Sequence, residues 1–150
     1  MPENSKPTRK LAAIVFTDIV GFTKLSAKDQ TKAAALLVKQ RELLKPLVES
    51  MRGQWVKEMG DGLLLIFDTV TDAVECCIKI QHILKPLEHL NLRIGIHQGE
   101  ILITEDDVIG DEINLTARIE PFSAPGGIAI SNKVNDALIR EEKFVTKFLG

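Results

Sequence analysis

Two carboxylates are spaced so that a cation would suit them. Asp18 follows a continuous apolar run, Leu11-Ala-Ala-Ile-Val-Phe16, and Asp61 occupies a Gly60-Asp61-Gly62 turn, so adjacent strands would carry both to one sheet edge. Mg²⁺ takes such carboxylate oxygens together with water and substrate phosphate, and two such ions can clamp the attacking and leaving oxygens of a phosphoryl displacement. Two solvated turn aspartates fit the same spacing. The stretch from Asp18 to Gly21, Phe22 and Thr23 leads into a helical pattern. Backbone amides freed at such an entry attract phosphate, although a glycine there serves a tight turn equally well. Lys57 alternates onto one strand face with Trp55 and Met59, which either presents an ammonium on an apolar face or lays the lysine stem there with its head in water. Asn114 and Arg118, four residues apart, share one face of a short helix whose packed side would be Ile113, Leu115 and Ile119. An amide and a guanidinium side by side suit a sugar and a charged transition state, and equally an ordinary solvated face.

The elements that must position these groups follow from periodicity. Residues 11–16 read as a buried strand, and a helix should follow, opened by a capping box of Ser26 and Asp29 and kinked near its end by Pro46. Residues 54–59 and 63–67 form a hairpin, residues 68–85 a helix, and residues 92–96 and 100–103 a second hairpin turning at His97-Gln98-Gly99. An acidic loop, Glu105-Asp106-Asp107, precedes a helix over 111–120, a strand over 128–131, a helix over 133–142 and a last strand over 143–148. This order predicts an α+β fold with helices packed on one face of a largely antiparallel sheet.

Composition narrows the function classes. The 150 residues, 45% apolar and 27% charged, suit one domain, read as a polar tail over 1–10 followed by a domain over 11–150. A net charge of −2 gives no bulk attraction to nucleic acid or anionic lipid, and the sequence contains neither a membrane-length apolar stretch nor a signal core. The two cysteines, Cys76 and Cys77, are adjacent and cannot pair with each other in ordinary geometry, while His82, His89 and His97 lack zinc spacing. A reducing cytoplasm is the expected setting.

Four ordered motifs gather these hints: Phe16-Thr-Asp18-Ile-Val-Gly-Phe-Thr23, Trp55-Val-Lys57-Glu-Met-Gly-Asp61-Gly62, Leu92-Arg-Ile-Gly-Ile-His97 and Asp107-Val-Ile-Gly-Asp-Glu-Ile-Asn114-Leu-Thr-Ala-Arg118-Ile-Glu120. From about Lys10 to Gly150 the chain resembles a class III adenylate/guanylate cyclase catalytic domain. The resemblance implies a ferredoxin-like two-layer α/β sandwich. It matches Asp18, Asp61 and the Ile19 carbonyl to the ligands of two Mg²⁺ or Mn²⁺ ions, and the amides of Gly21, Phe22 and Thr23 to a triphosphate cradle. Lys57 and Asp107 match the base-selecting pair, Asn114 the ribose-orienting residue and Arg118 the transition-state arginine. Adenine offers an acceptor at N1 for a lysine and an amino donor at N6 for an aspartate, whereas guanine reverses both, so ATP is the implied substrate and cyclic AMP and pyrophosphate the products. The resemblance also implies a head-to-tail homodimer whose sites draw metal residues from one subunit and the remainder from the other.

The alternatives are a silent ATP-binding and dimerisation module or a guanylate cyclase. Family members usually continue past Phe148-Leu-Gly150 through a closing strand pair bearing a triphosphate-binding lysine, and many carry an arm arginine after the equivalent of Ile103. No residue here takes either role, which implies a truncated chain or reduced nucleotide affinity. Arg93, mid-strand, reads as structural, and a regulatory domain would belong to a longer protein.

Overall fold

The computed structural model describes residues 6–141 and 143–149. β1 (Thr8–Ile19) is the central strand, flanked by β3 (Gly62–Phe67) and β4 (Leu92–Ile103), both antiparallel to it. β2 (Gly53–Met59) lies outside β3, and β5 (Val108–Ile109) outside β4, giving the path β2-β3-β1-β4-β5. β6 (Ala129–Ile130) pairs parallel to β4, which makes the sheet mixed although largely antiparallel. The helices are α1 (Phe22–Lys28), α2 (Gln30–Ser50), α3 (Val70–Leu84), α4 (Asp111–Ile119) and α5 (Asn132–Leu138).

Strand alternation divides the apolar residues between the two faces. On one face Ala13, Val15, Leu63, Leu65, Phe67, Leu92, Ile94 and Ile96 meet α2, α3 and α5 through Leu44, Val48, Ala73, Cys77, Ile80, Val134 and Leu138. Each fully buried leucine or isoleucine there contributes about 1.5–3 kcal/mol, so this larger cluster holds most of the stability. The opposite face carries the smaller group Ala12, Ile14, Leu64, Ile66, Ile101 and Val108, with Phe16, Val56 and Ile113 beside it. Cys76 and Cys77 are free and buried on α3, and burial pushes the Cys76 thiol up to about 11.

Several expectations change. β1 starts at Thr8, inside the stretch read as a tail, because Thr8 to Lys10 pair with Ile103 to Ile101 of β4. It also continues through Asp18 to Ile19, so Asp18 is a strand residue rather than one just past the strand. Ser26 lies inside α1, and Asp29 itself caps α2 by accepting from the Lys32 amide at 3.0 Å; α2 carries Pro46 within it. The second hairpin does not form: β4 runs unbroken through His97-Gln98-Gly99 against the whole of β1. Gly99 is needed for packing, since a Cβ there would collide with the Glu112 carboxylate. β6 and α5 are shorter than expected. The last strand over 143–148 is absent: residues 144–149 form no ladder, Val145 and Phe148 are exposed, and the segment is tied by Thr146 Oγ1 donating to Asn135 Oδ1 at 2.7 Å.

Candidate active site

Asp61 turns the β2–β3 hairpin with Gly60, which alone in that turn takes a positive φ, of 63°. The Asp61 carboxylate reaches back to β1 and accepts from the Ile19 amide at 2.9 Å, which sets it beside Asp18. Asp18 projects onto the face away from α2 and α3, because its register partner Arg93 lies on the same face as Gly95 and His97. Its Oδ1 is buried without a hydrogen-bond donor, and Arg93 Nη1 stands off at 3.8 Å. Two neighbouring carboxylates with an orphaned, buried oxygen are the donor set a hard divalent cation takes, so the residues fit such an ion.

A third acid lies beside Asp18 and was missed from sequence. Glu120, only 4% exposed, begins the 3-10 turn after α4. Its backbone lies so close over Gly95 that a Cβ on Gly95 would collide with it. Burial first, then the adjacent Asp18 carboxylate, push the Glu120 carboxyl up to about 8, with Arg93 opposing and Asp61 adding to the rise. The unfolded chain gives up this proton near the ordinary 4.5, whereas the folded chain keeps it until about 8. Its contribution to stability is therefore complete below the lower value and is lost as pH rises through the window. In the absence of divalent ions, Glu120→Gln should flatten that decline and raise stability at pH 8 by on the order of 2 kcal/mol, read from urea unfolding at pH 5 and pH 8. An unchanged pH slope would remove Glu120 as its source.

The entry to α1 places Gly21, with φ 77°, at the helix N-cap, followed by Phe22 and Thr23. Among the described residues, these three amides show no hydrogen bond to an acceptor. Lys57 corrects an expectation. Trp55 opposes Leu65 but Lys57 opposes Leu64, because β2 bulges between them. Lys57 therefore shares a face with Met59 and not with Trp55, and that is the face of Asp18. There Lys57 Nζ meets Asp107 Oδ1 at 2.8 Å, joining β2 to the turn before β5, the two ends of the strand path. The Lys57 hydrogen bond, then one from the Val108 amide, holds the Asp107 carboxyl below the usual carboxylate range.

α4 is fixed to the same face by polar contacts. Its inward stripe is Glu112, Thr116 and Glu120, at helical spacing, set against Gly95, His97 and Gly99 at strand spacing. Buried His97 bonds Glu112 Oε2 through Nε2 at 2.7 Å and Ser131 Oγ through Nδ1 at 2.8 Å. Leu115, expected on the packed side, is exposed instead. Asn114 and Arg118 stand on the outward side, exposed and without a side-chain partner among the described residues. The fold thus unites Asp18 with Asp61 and Lys57 with Asp107, and leaves Asn114 and Arg118 exposed on α4.

Residues 5–149 match the model of the adenylate and guanylate cyclase catalytic domain. The chain belongs to that family. A protein described as putative adenylate cyclase 3 from Rhizobium meliloti is 35% identical over 136 residues, covering 85% of this chain and 23% of its own length. The adenylate cyclase of Streptomyces coelicolor is 28% identical over 130 residues, 85% of this chain and 34% of its own. A crystal structure described as an adenylate/guanylate cyclase/hydrolase from Silicibacter pomeroyi superposes with a TM-score of 0.84 at 33% identity, covering 97% of this chain and 89% of that one. The α+β architecture of this cyclase domain is that of its solved relatives. The domain thus spans 23% and 34% of the length of these two curated relatives. None of its described helices is long and apolar enough to cross a membrane.

Proposed function

We propose that this domain is an adenylate cyclase that converts ATP to 3′,5′-cyclic AMP and pyrophosphate at sites completed by a head-to-tail homodimer. The observation that carries the reading is the 2.8 Å Lys57–Asp107 pair on the sheet face that also bears Asp18. Its ammonium donates to adenine N1 and its carboxylate accepts from the N6 amino group, an order of donor and acceptor that guanine does not match.

Asp18, Asp61 and the Ile19 carbonyl would hold two Mg²⁺ or Mn²⁺ ions, which when bound supply Lewis-acid stabilisation of the attacking and leaving oxygens. The Gly21, Phe22 and Thr23 amides bind the triphosphate oxygens. Asn114 orients the ribose so that its 3′-oxygen lies in line with the α-phosphorus. As the 3′-oxygen forms its bond and the bond to the pyrophosphate oxygen breaks, Arg118 of the other subunit donates to the α-phosphate and stabilises the charge gathering there. The proton of the 3′-hydroxyl leaves to water or to substrate. The dimer reading draws on the outward Asn114 and Arg118, and on the exposed apolar side chains of Leu115, Ile109 and Phe122.

Cyclic nucleotide production by the purified chain at several protein concentrations, with ATP or GTP and with Mg²⁺ or Mn²⁺, tests this directly. Cyclic AMP made from ATP, rising faster than linearly with protein, is the expected result. Preferred cyclic GMP production reverses the base assignment. Nucleotide binding without product under every condition replaces the enzyme with a silent ATP-binding module.

A further inference from the structure

A regular strand sends residues i and i+3 to opposite faces. Trp55 and Glu58 break that rule, since their partners Leu65 and Leu63 both belong to the cluster under α2 and α3. The bulge at Val56 makes this happen, and on the other face it leaves Val56 against the smaller cluster with Lys57 opposite Leu64. In an unbulged register Lys57 would stand opposite Leu63, facing the helices and away from Asp107.

The helix side carries a device that can close only around the bulge. Glu58 Oε2 accepts from Trp55 Nε1 at 3.1 Å and from Arg41 Nε at 2.6 Å, while its Oε1 accepts from Arg41 Nη2 at 2.8 Å. Arg41 lies on α2, so the fork joins that helix to the strand just past the bulge. The fork, then the indole bond, draws the Glu58 carboxyl below its usual range against the opposing effect of burial. Bidentate pairing fixes direction as well as distance.

We propose that Arg41, Glu58 and Trp55 form a register clamp that keeps Lys57 on the nucleotide face, acting as positioning residues for base selection. The function of the clamp in selection rests on the adenylate cyclase reading; its function in strand register does not. Losing the clamp lets β2 sample the unbulged pairing, and the ammonium then spends less time where adenine N1 can meet it. ATP is penalised more than GTP, because the same lysine offers guanine N1–H no acceptor.

Arg41→Ala removes the fork from an exposed position, Trp55→Phe keeps the packed ring but loses the donor, and Glu58→Ala removes the shared acceptor. Each should lower kcat/KM for ATP about tenfold while changing GTP by less than about threefold. Combining Arg41→Ala with Glu58→Ala should cost no more than the larger single effect, and Arg41→Lys should recover part of the loss. A readout free of turnover accompanies this. Nuclear magnetic resonance should place the Lys57 and Leu64 backbones opposite one another in the wild type and show Lys57 opposite Leu63 gaining population in the variants. The indole N–H signal of Trp55, the single tryptophan, should move in Arg41→Ala and Glu58→Ala. Equal losses for ATP and GTP, or an unaltered register once the clamp is gone, overturn the proposal. A wild-type chain silent toward both nucleotides, with the register still shifting in the variants, overturns the cyclase reading and leaves the clamp standing.

Discussion

Asp18→Asn should abolish cyclic AMP production, lowering turnover by about 10³-fold or more, while leaving the chain at least as stable as the wild type. The two halves of this outcome have one cause. Asp18 carries a buried oxygen with no donor, beside Asp61 and beside a Glu120 carboxyl that its charge helps keep protonated. Such a grouping is poor for folding and suited to a divalent cation, so neutralising it relieves repulsion as it removes function. An asparagine amide can also donate to the Glu120 carboxylate. Stability near pH 8 should therefore rise by about 1–2 kcal/mol. Asp61→Asn should be equally inactive but gain less, because its remaining oxygen can still accept from the Ile19 amide. Urea unfolding alongside cyclic AMP production checks both. An inactive Asp18→Asn chain that has also unfolded would assign Asp18 to structure, and an active one would remove it from the site.

How far the sequence reveals such a site depends on how local its geometry is. Asp18 beside Asp61 was legible, because a strand end and a hairpin turn on neighbouring strands meet at one edge. The sidedness of Lys57 was not, since an inserted residue at Val56 inverts every face beyond it and bulges leave little trace in an alternating pattern. His97-Gln98-Gly99 read as a turn because glycine serves turns and close packing alike; only α4 lying across β4 distinguishes them. The motif order made the general architecture readable, yet the acidic environment of Asp18 depends on Glu120, the last residue of a stripe whose significance appears only against Gly95 and His97. Glu112, Thr116 and Glu120 at spacing four, and Gly95, His97 and Gly99 at spacing two, were the available signal. The final segment misled because its aromatic and β-branched residues, Phe144, Val145, Thr146 and Phe148, suit a strand, although it joins no ladder and lies near α5.

Mixing Asp18→Asn with Arg118→Ala, each inactive alone, should restore about a quarter of wild-type activity. Random pairing makes about half of the dimers mixed, and one of the two sites in each mixed dimer then combines an intact Asp18 with an intact Arg118. The other site carries both lesions. The proposed division of labour draws on the two sides of α4. Glu112, Thr116 and Glu120 face the sheet, and Glu120 meets Asp18 there, whereas Arg118 points outward with no partner among the described residues. A guanidinium that acts within its own chain would have to face the Asp18 and Asp61 end of that chain's sheet, where the phosphate would lie. One that serves a second copy must be exposed, and Arg118 is. Arg118→Ala alone should lower kcat by about 10²-fold or more with a smaller change in KM, since its contact strengthens as charge builds on the phosphate. Activity in the mixture should grow with the fraction of mixed dimers measured by native mass spectrometry. Silent mixed dimers would refute the shared site. Substantial turnover by Arg118→Ala alone would remove the arginine from the chemistry and leave its exposure without a catalytic purpose.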